Sequence, residues 1–230
     1  MEILQNGFTL DLCQGAFPLS TDSVALSGFV KLPKNAKVLD IGSGCGTLGL
    51  LLCAKDAGCS VMGIEIDPNA HAMALQNAKN NNIESRLESI CADANTAEIP
   101  AGTFHICVSN PPYFAGGPAS KQHATARGED SLSLETVIRQ AAKALRYGGD
   151  FYLVHRPERL AEICALSSKY QLEPKRLQLL RHRADGPISL ILIQCRKGGK
   201  PGLVWEEEAL HDPDGTPSEY YKTLYHLEEV

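Results

Sequence analysis

The sequence lacks any apolar stretch long enough to cross a bilayer. A run such as Ile188-Ser189-Leu190-Ile191-Leu192-Ile193 is far short of the roughly 20 residues that a spanning helix needs, and its length suits a buried strand. The opening Met1-Glu2-Ile3-Leu4-Gln5-Asn6 has no basic segment leading into an apolar one, which argues against a secretory leader. Cysteine is not scarce, with eight residues, but its patterning is: no Cys-x-x-Cys occurs, and no Cys/His pair at metal-ligand spacing. Cys53, Cys91, Cys107 and Cys195 fall inside apolar segments, where a thiol behaves as a small core residue. The expectation is a cytoplasmic protein with reduced thiols, no metal and no disulfide framework. An excess of cations is missing too. A net charge of −5 weighs against a polyanionic partner, whose affinity would come from Lys and Arg. The distribution softens this, because Lys175 to Lys200 carries seven Lys/Arg against the single acid Asp185.

Strands and helices alternate along the chain. An N-terminal helix over 22–30 has Ser20 or Thr21 as its cap. Strands are expected at 37–41, 60–65, 89–92 and 104–108, with helices at 47–55 and from Asp67-Pro68 to about Asn80. Leu134, Val137, Ile138, Ala141 and Leu145 recur at helical spacing, and Gly148-Gly149 is the expected stop. A strand at 151–154, a helix over 157–168 and strands at 177–180 and 188–195 follow. This order predicts a doubly wound α/β domain on a mainly parallel sheet, with ligands beyond the carboxyl ends of the strands. The division is an N-terminal segment over 1–36, a main domain over 37–196 and an extension of it over 197–230.

Two motifs sit at strand ends. In Asp40-Ile41-Gly42-Ser43-Gly44-Cys45-Gly46 the glycines allow a tight turn whose backbone N–H groups approach a ligand at a helix start. The frame Gly44-Cys45-Gly46-Thr47-Leu48-Gly49 fits a dinucleotide loop, with Glu65 available for a ribose. The frame Asp40-x-Gly42-x-Gly44-x-Gly46 fits better: its carboxylate suits the ammonium of a methionine moiety and would repel a pyrophosphate. The second motif is Asn110-Pro111-Pro112-Tyr113, a tetrapeptide expected by chance about once in a thousand chains of this length. An amino nitrogen conjugated to a ring is a poor nucleophile. The Asn110 side-chain oxygen and the Pro111 carbonyl can hold both of its N–H bonds and favour the cationic nitrogen of the transition state. Pro111 and Pro112 stiffen the turn, and the Tyr113 ring can stack on a planar base.

The Asp40–Gly46 pattern and the element order over 20–196 resemble the class I S-adenosylmethionine methyltransferases, which implies a Rossmann-like fold and that cofactor. By that resemblance Glu65 is the ribose ligand and Asp93 the contact to the cofactor adenine, with Asn110 beside the cofactor as well. The Asn-Pro-Pro-Tyr turn is shared by adenine-N6 methyltransferases of DNA and RNA and by release-factor glutamine methyltransferases. Further stretches resemble one group, the bacterial tRNA(Val) adenine-37 N6-methyltransferases: Phe17-Pro18-Leu19-Ser20-Thr21-Asp22-Ser23, Asn110 to Phe114, Ala126-Arg127, His155 to Leu160, and Pro174-Lys175-Arg176-Leu177. Gly128 departs from the histidine expected after Ala126-Arg127. The resemblance implies a tRNA substrate and places Asp22 near the methionine end of the cofactor. The glutamine-methylating relatives carry an extra N-terminal helical domain, for which the 36 residues before the first main strand are too few.

Candidates for holding RNA are Phe114 and Arg127 in the polar stretch after the turn, Arg156 and Arg159 at the end of the fifth strand, and Lys175 and Arg176 in the basic segment. The competing class is a nicotinamide-dependent oxidoreductase, which has no use for Asn110 to Tyr113. A methyltransferase acting on rRNA, DNA or protein glutamine is the nearer alternative.

Overall fold

The alternation read from the sequence folds into one sheet with helices on both faces. The structure, a computed structural model, describes residues 2–4, 7–13, 19–113 and 132–227. Its strands are β1 (Glu2–Ile3), β2 (Thr9–Leu10), β3 (Lys37–Ile41), β4 (Ser60–Glu65), β5 (Leu87–Cys91), β6 (Phe104–Ser109), β7 (Leu145–His155), β8 (Leu172–Arg183), β9 (Ile188–Lys197) and β10 (Val204–His211). Its helices are α1 (Thr21–Phe29), α2 (Thr47–Lys55), α3 (Pro68–Asn80), α4 (Leu134–Ala144), α5 (Leu160–Lys169) and α6 (Glu219–Tyr225). Eight strands form the main sheet in the order β10-β8-β9-β7-β6-β3-β4-β5, while β1 and β2 pair separately. All neighbours in the main sheet run parallel except the two pairs made by β9. The carboxyl ends of β3, β4, β5, β6 and β7 therefore share one edge, as expected of a doubly wound sheet.

Central strands covered on both faces need apolar side chains on both. Val38, Leu39 and Ile41 of β3 and Ile106, Cys107 and Val108 of β6 are accordingly buried. One core lies under α1, α2 and α6, with Leu26, Leu50, Leu52 and Leu224; the other lies under α4 and α5, with Ile138, Leu145, Phe151 and Ile163. Caps fall where the side chains dictate: Ser20 Oγ accepts from Ser23 N–H, and Asp67 Oδ1 accepts from Asn69 N–H ahead of Pro68.

The Gly148-Gly149 pair does not end α4. That helix stops at Ala144, and the chain extends at once from Leu145 (ψ 138°), whose side chain is fully buried. The glycines sit inside β7, where the pairing with β6 shifts register between Phe104 and Ile106 and Gly148 takes φ 76°. A Cβ on Gly149 would lie 3.0 Å from the carbonyl oxygens of Arg146 and His105. The glycines serve a bulge rather than a helix end.

The N-terminal segment is tied to α3 by polar contacts. Asn77 and Asn81, one turn apart on α3, each grip one residue of the N-terminal segment through its backbone. Asn77 Oδ1 accepts from Asp11 N–H at 2.8 Å and its Nδ2 donates to Asp11 O at 2.8 Å; Asn81 does the same to Thr9 at 2.7 and 2.8 Å. Four helical residues rise about 6 Å and two extended ones about 6.6 Å, so the side chains mimic a neighbouring strand. At the other end β10 extends the sheet beyond β8, and α6 lays Leu224 against α1 where Gly28 carries no Cβ.

Candidate active site

The glycine-rich loop leaves β3 with three left-handed residues at alternate positions: Gly42 at φ 76°, Gly44 at 56° and Gly46 at 84°. Side-chain-bearing residues adopt this conformation at a cost, which explains the spacing. Gly46 caps α2, so a helix start follows the loop directly, while the loop's own N–H groups are used within it and on β4: Gly42 and Ser43 donate to Ile64 O, and Gly46 donates to Ser43 O. Glu65, at the end of β4, closes the loop from the side: its Oε2 accepts from Gly44 N–H and its Oε1 from Asp67 N–H, both at 2.8 Å. Asp93, just past β5, is half-buried and folds back on Asn95, accepting from its N–H at 2.8 Å.

Asp40 lies beneath the loop rather than at its mouth. It is 1% exposed, and neither carboxylate oxygen has a hydrogen-bond partner among the described residues. Burial raises its pKa from 3.8 to about 8, and the nearby Glu65 charge adds to the rise. A buried carboxylate without a partner is a place for a cation, and the Oγ of Ser43 next to it is equally unpartnered. The donor set fits an amino-acid ammonium beside a ribose better than it fits a pyrophosphate.

The Asn110–Tyr113 turn leaves β6, which is tied to β3 by Ser109 Oγ donating to Ile41 O at 2.7 Å. Asn110 and Tyr113 are half-buried, Pro111 is buried and Pro112 is exposed. The first turn of α1 meets this turn directly. Asn110 Nδ2 donates to Ser23 Oγ at 3.0 Å; the Tyr113 hydroxyl lies 2.6 Å from Asp22 Oδ2 and 2.9 Å from Asn110 Oδ1. Burial, then the Asp22 charge, holds the Tyr113 phenol far above its ordinary pKa, so it stays a neutral donor. Asp22 thus meets the catalytic turn through Tyr113.

Residues after β7 complete the wall. His155, 3% exposed, presents its ring to Tyr113 at 5.2 Å in an edge arrangement, and its Nδ1 accepts from Arg156 N–H at 2.8 Å. Burial, reinforced by Arg159, lowers its pKa and keeps it neutral, with the proton on Nε2. The Arg156 guanidinium sits 5.2 Å from the Tyr113 ring centre and donates to Ser189 O at 3.1 Å. A base stacking on the Tyr113 face covered by Arg156 must take the guanidinium's place. Arg159 makes a two-pronged pair with Glu162, at 2.6 and 2.8 Å.

The basic segment is put to other uses. Arg176, with a side chain only 14% exposed, pairs with Glu206 through two bonds of 2.9 Å, donates to Phe29 O at 3.2 Å and covers the Phe29 ring at 4.2 Å. That contact is at the C-terminal end of α1, about 10 Å of helix away from Asp22 and Ser23. Lys175 donates to Lys200 O, while Arg181, Arg183 and Arg196 pair with Glu207, Asp185 and Asp150. The cations that cluster in sequence are dispersed across the sheet, most of them facing an acid. Phe114, Arg127 and Gly128 lie outside the described residues. Ser23 and His155 stand in the stretches that carry the family resemblance, but nothing in their spacing marks them; only the fold brings them to the turn.

The profile of the methyltransferase small domain family matches residues 23–164, from the first turn of α1 into α5. A tRNA1(Val) (adenine(37)-N6)-methyltransferase of Shewanella halifaxensis is 34% identical over 169 residues, covering 72% of this chain and 68% of the relative. A relative of the same name from Aeromonas hydrophila is 28% identical over 220 residues, covering 94% and 92% of the two chains. Among solved structures, one described as a predicted O-methyltransferase from Agrobacterium tumefaciens superposes with a TM-score of 0.75 at 21% identity, covering 90% of this chain and 96% of that one. The geranyl diphosphate C-methyltransferase of Streptomyces coelicolor, solved with S-adenosyl-L-homocysteine, gives 0.59 at 11% identity over 76% of each chain. The solved structures share the fold, and the family profile and the relatives narrow the group: the chain belongs to the methyltransferase small domain family and, within it, to the tRNA1(Val) (adenine(37)-N6)-methyltransferases.

Proposed function

We propose that the protein methylates the exocyclic N6 of an adenine in RNA, adenine 37 of a valine tRNA, with S-adenosylmethionine as donor. The observation that carries the reading is the Asn110 amide, held by Ser23 at the end of β6 with its oxygen turned toward the Tyr113 hydroxyl. Asp40 is suited to the methionine ammonium, the Gly42–Gly46 turn with the start of α2 to close approach of the methionine end, Glu65 to the ribose hydroxyls and Asp93 to the adenine amino group. When bound, the cofactor supplies an electrophilic methyl on a sulfonium, so the chain needs no nucleophile of its own. Asn110 Oδ1 and the Pro111 carbonyl accept the two N–H bonds of the target nitrogen and stabilise the positive charge that grows there. Tyr113 and His155 wall the base, and Arg156 and Arg159 face the RNA backbone; Phe114, Arg127 and Lys175 are further candidates for holding the RNA. Arg176 serves the sheet rather than the RNA.

Treating unmodified tRNA with the protein and S-adenosylmethionine, then digesting to nucleosides for mass spectrometry, tests this. N6-methyladenosine from position 37 is the expected product. Methylation confined to a glutamine-containing protein, or to rRNA or DNA, would redirect the reading to that nitrogen.

A further inference from the structure

The two ends of an asparagine amide have nearly the same shape but opposite hydrogen-bonding character, and only the oxygen end can accept an N–H. If Asn110 acts as proposed above, something must choose the rotamer that offers the oxygen. Ser23, 7% exposed in the first turn of α1, stands on the nitrogen side. Its Oγ takes the Nδ2–H of Asn110 at 3.0 Å and the hydroxyl of Ser20 at 3.3 Å, so it acts as the acceptor in both contacts. On the other side Tyr113 has one proton for two oxygens. The charged Asp22 Oδ2 at 2.6 Å outcompetes the neutral Asn110 Oδ1 at 2.9 Å. The amide oxygen is left short of a donor, which an incoming amino group supplies.

We infer that Ser23 is a positioning residue that selects the amide rotamer of Asn110, with Asp22 occupying the Tyr113 proton so that the selected oxygen is free to accept. Neither residue needs to touch the substrate. Their place on one helical turn lets a single element orient both polar groups of the catalytic turn.

The test is single-turnover methyl transfer by wild type, Ser23→Ala, Asn110→Asp and Asn110→Ala, and by each Asn110 variant combined with Ser23→Ala. Mass spectrometry of the wild-type product first identifies the methylated nitrogen, and the series is run on that substrate. The adenine reading can then fail while the Ser23 assignment is still judged. Ser23→Ala should slow the wild-type reaction about tenfold, the worth of one side-chain hydrogen bond, with S-adenosylhomocysteine affinity and thermal stability unchanged. In Asn110→Asp, whose two oxygens are equivalent, and in Asn110→Ala, which has no amide, the same change should cost less than about twofold. An equal loss in all three backgrounds would show that Ser23 only supports the fold. A wild-type rate in Ser23→Ala would likewise overturn the assignment.

Discussion

Replacing Asp40 by Asn keeps the shape of the side chain and removes its charge at every pH. The native pKa of about 8 lies roughly four units above the ordinary 3.8, and each unit is 1.36 kcal/mol. Ionising Asp40 in the folded state without cofactor therefore costs on the order of 5 kcal/mol more than ionising it in the unfolded chain. The sign follows from proton counting. Between about pH 4 and pH 8 the folded protein holds a proton that the unfolded chain has released, so the contribution of this group to stability falls as pH rises and levels off above pH 8. From pH 5.5 to pH 8 the wild type should lose roughly 3 kcal/mol relative to Asp40→Asn, the product of 2.5 units and the same factor. Urea denaturation of both proteins at pH 5.5, 7 and 8.5 measures this difference directly. Parallel curves would refute the claim that Asp40 is buried without a partner. The same variant should bind S-adenosylhomocysteine more weakly at pH 8, since an amide cannot neutralise an ammonium. Wild-type binding at pH 7 should release a proton, visible as a calorimetric enthalpy that depends on the buffer.

Asn110→Ala should lower the methyl-transfer rate about 100- to 1000-fold with little change in cofactor affinity; single-turnover rates within a few-fold of wild type would sink the acceptor mechanism. Arg176→Ala should cost about 2 kcal/mol in urea denaturation through the loss of its Glu206 and Phe29 contacts, while the salt dependence of tRNA binding stays as it was. A flatter salt slope with unaltered stability would instead make Arg176 a phosphate contact. Asn77→Ala removes the partners of Asp11 N–H, Asp11 O and Cys45 O together and should destabilise by about 2–4 kcal/mol, with amide exchange rising first at Asp11. Uniform exchange along the chain would mean the N-terminal segment is held by other contacts.

Much of this architecture is written locally. Asp67-Pro68 starts α3 as its cap and first-position chemistry require, and the bounds of β3, α2 and β4 match the apolar runs to the residue. The alternate glycines of the cofactor loop are legible because positive φ is a property of single residues. Features that depend on partners far along the chain were not. Gly148-Gly149 carries the local mark of a helix stop, and only the pairing of β7 with β6 turns it into a bulge. Val204 to His211 falls in the extension over 197–230 with no strand expected, because Glu206 and Glu207 break up the apolar pattern of β10. They form ion pairs with Arg176 and Arg181 of β8, which also neutralises much of the basic segment that suggested an RNA face. At the site, the acids and glycines declare themselves by chemistry at strand ends. Ser23 has no such mark, since a serine in a first helical turn is ordinary.

The seating of α1 has a consequence for when the enzyme becomes competent. The helix that presents Asp22 and Ser23 is synthesised long before the residues that help to seat it: Leu224 is among the side chains that bury it, and Tyr225 hydrogen-bonds to Thr21 across 204 positions. Contacts so distant in sequence form late in folding, because the intervening chain must first be ordered. A nascent chain that has already built β3, the glycine loop and the Asn110 turn would hold the proposed cofactor site while Asn110, the proposed acceptor, is still unsteadied. Cofactor capture and methyl transfer should therefore be gained in that order during synthesis, with the second waiting for α6.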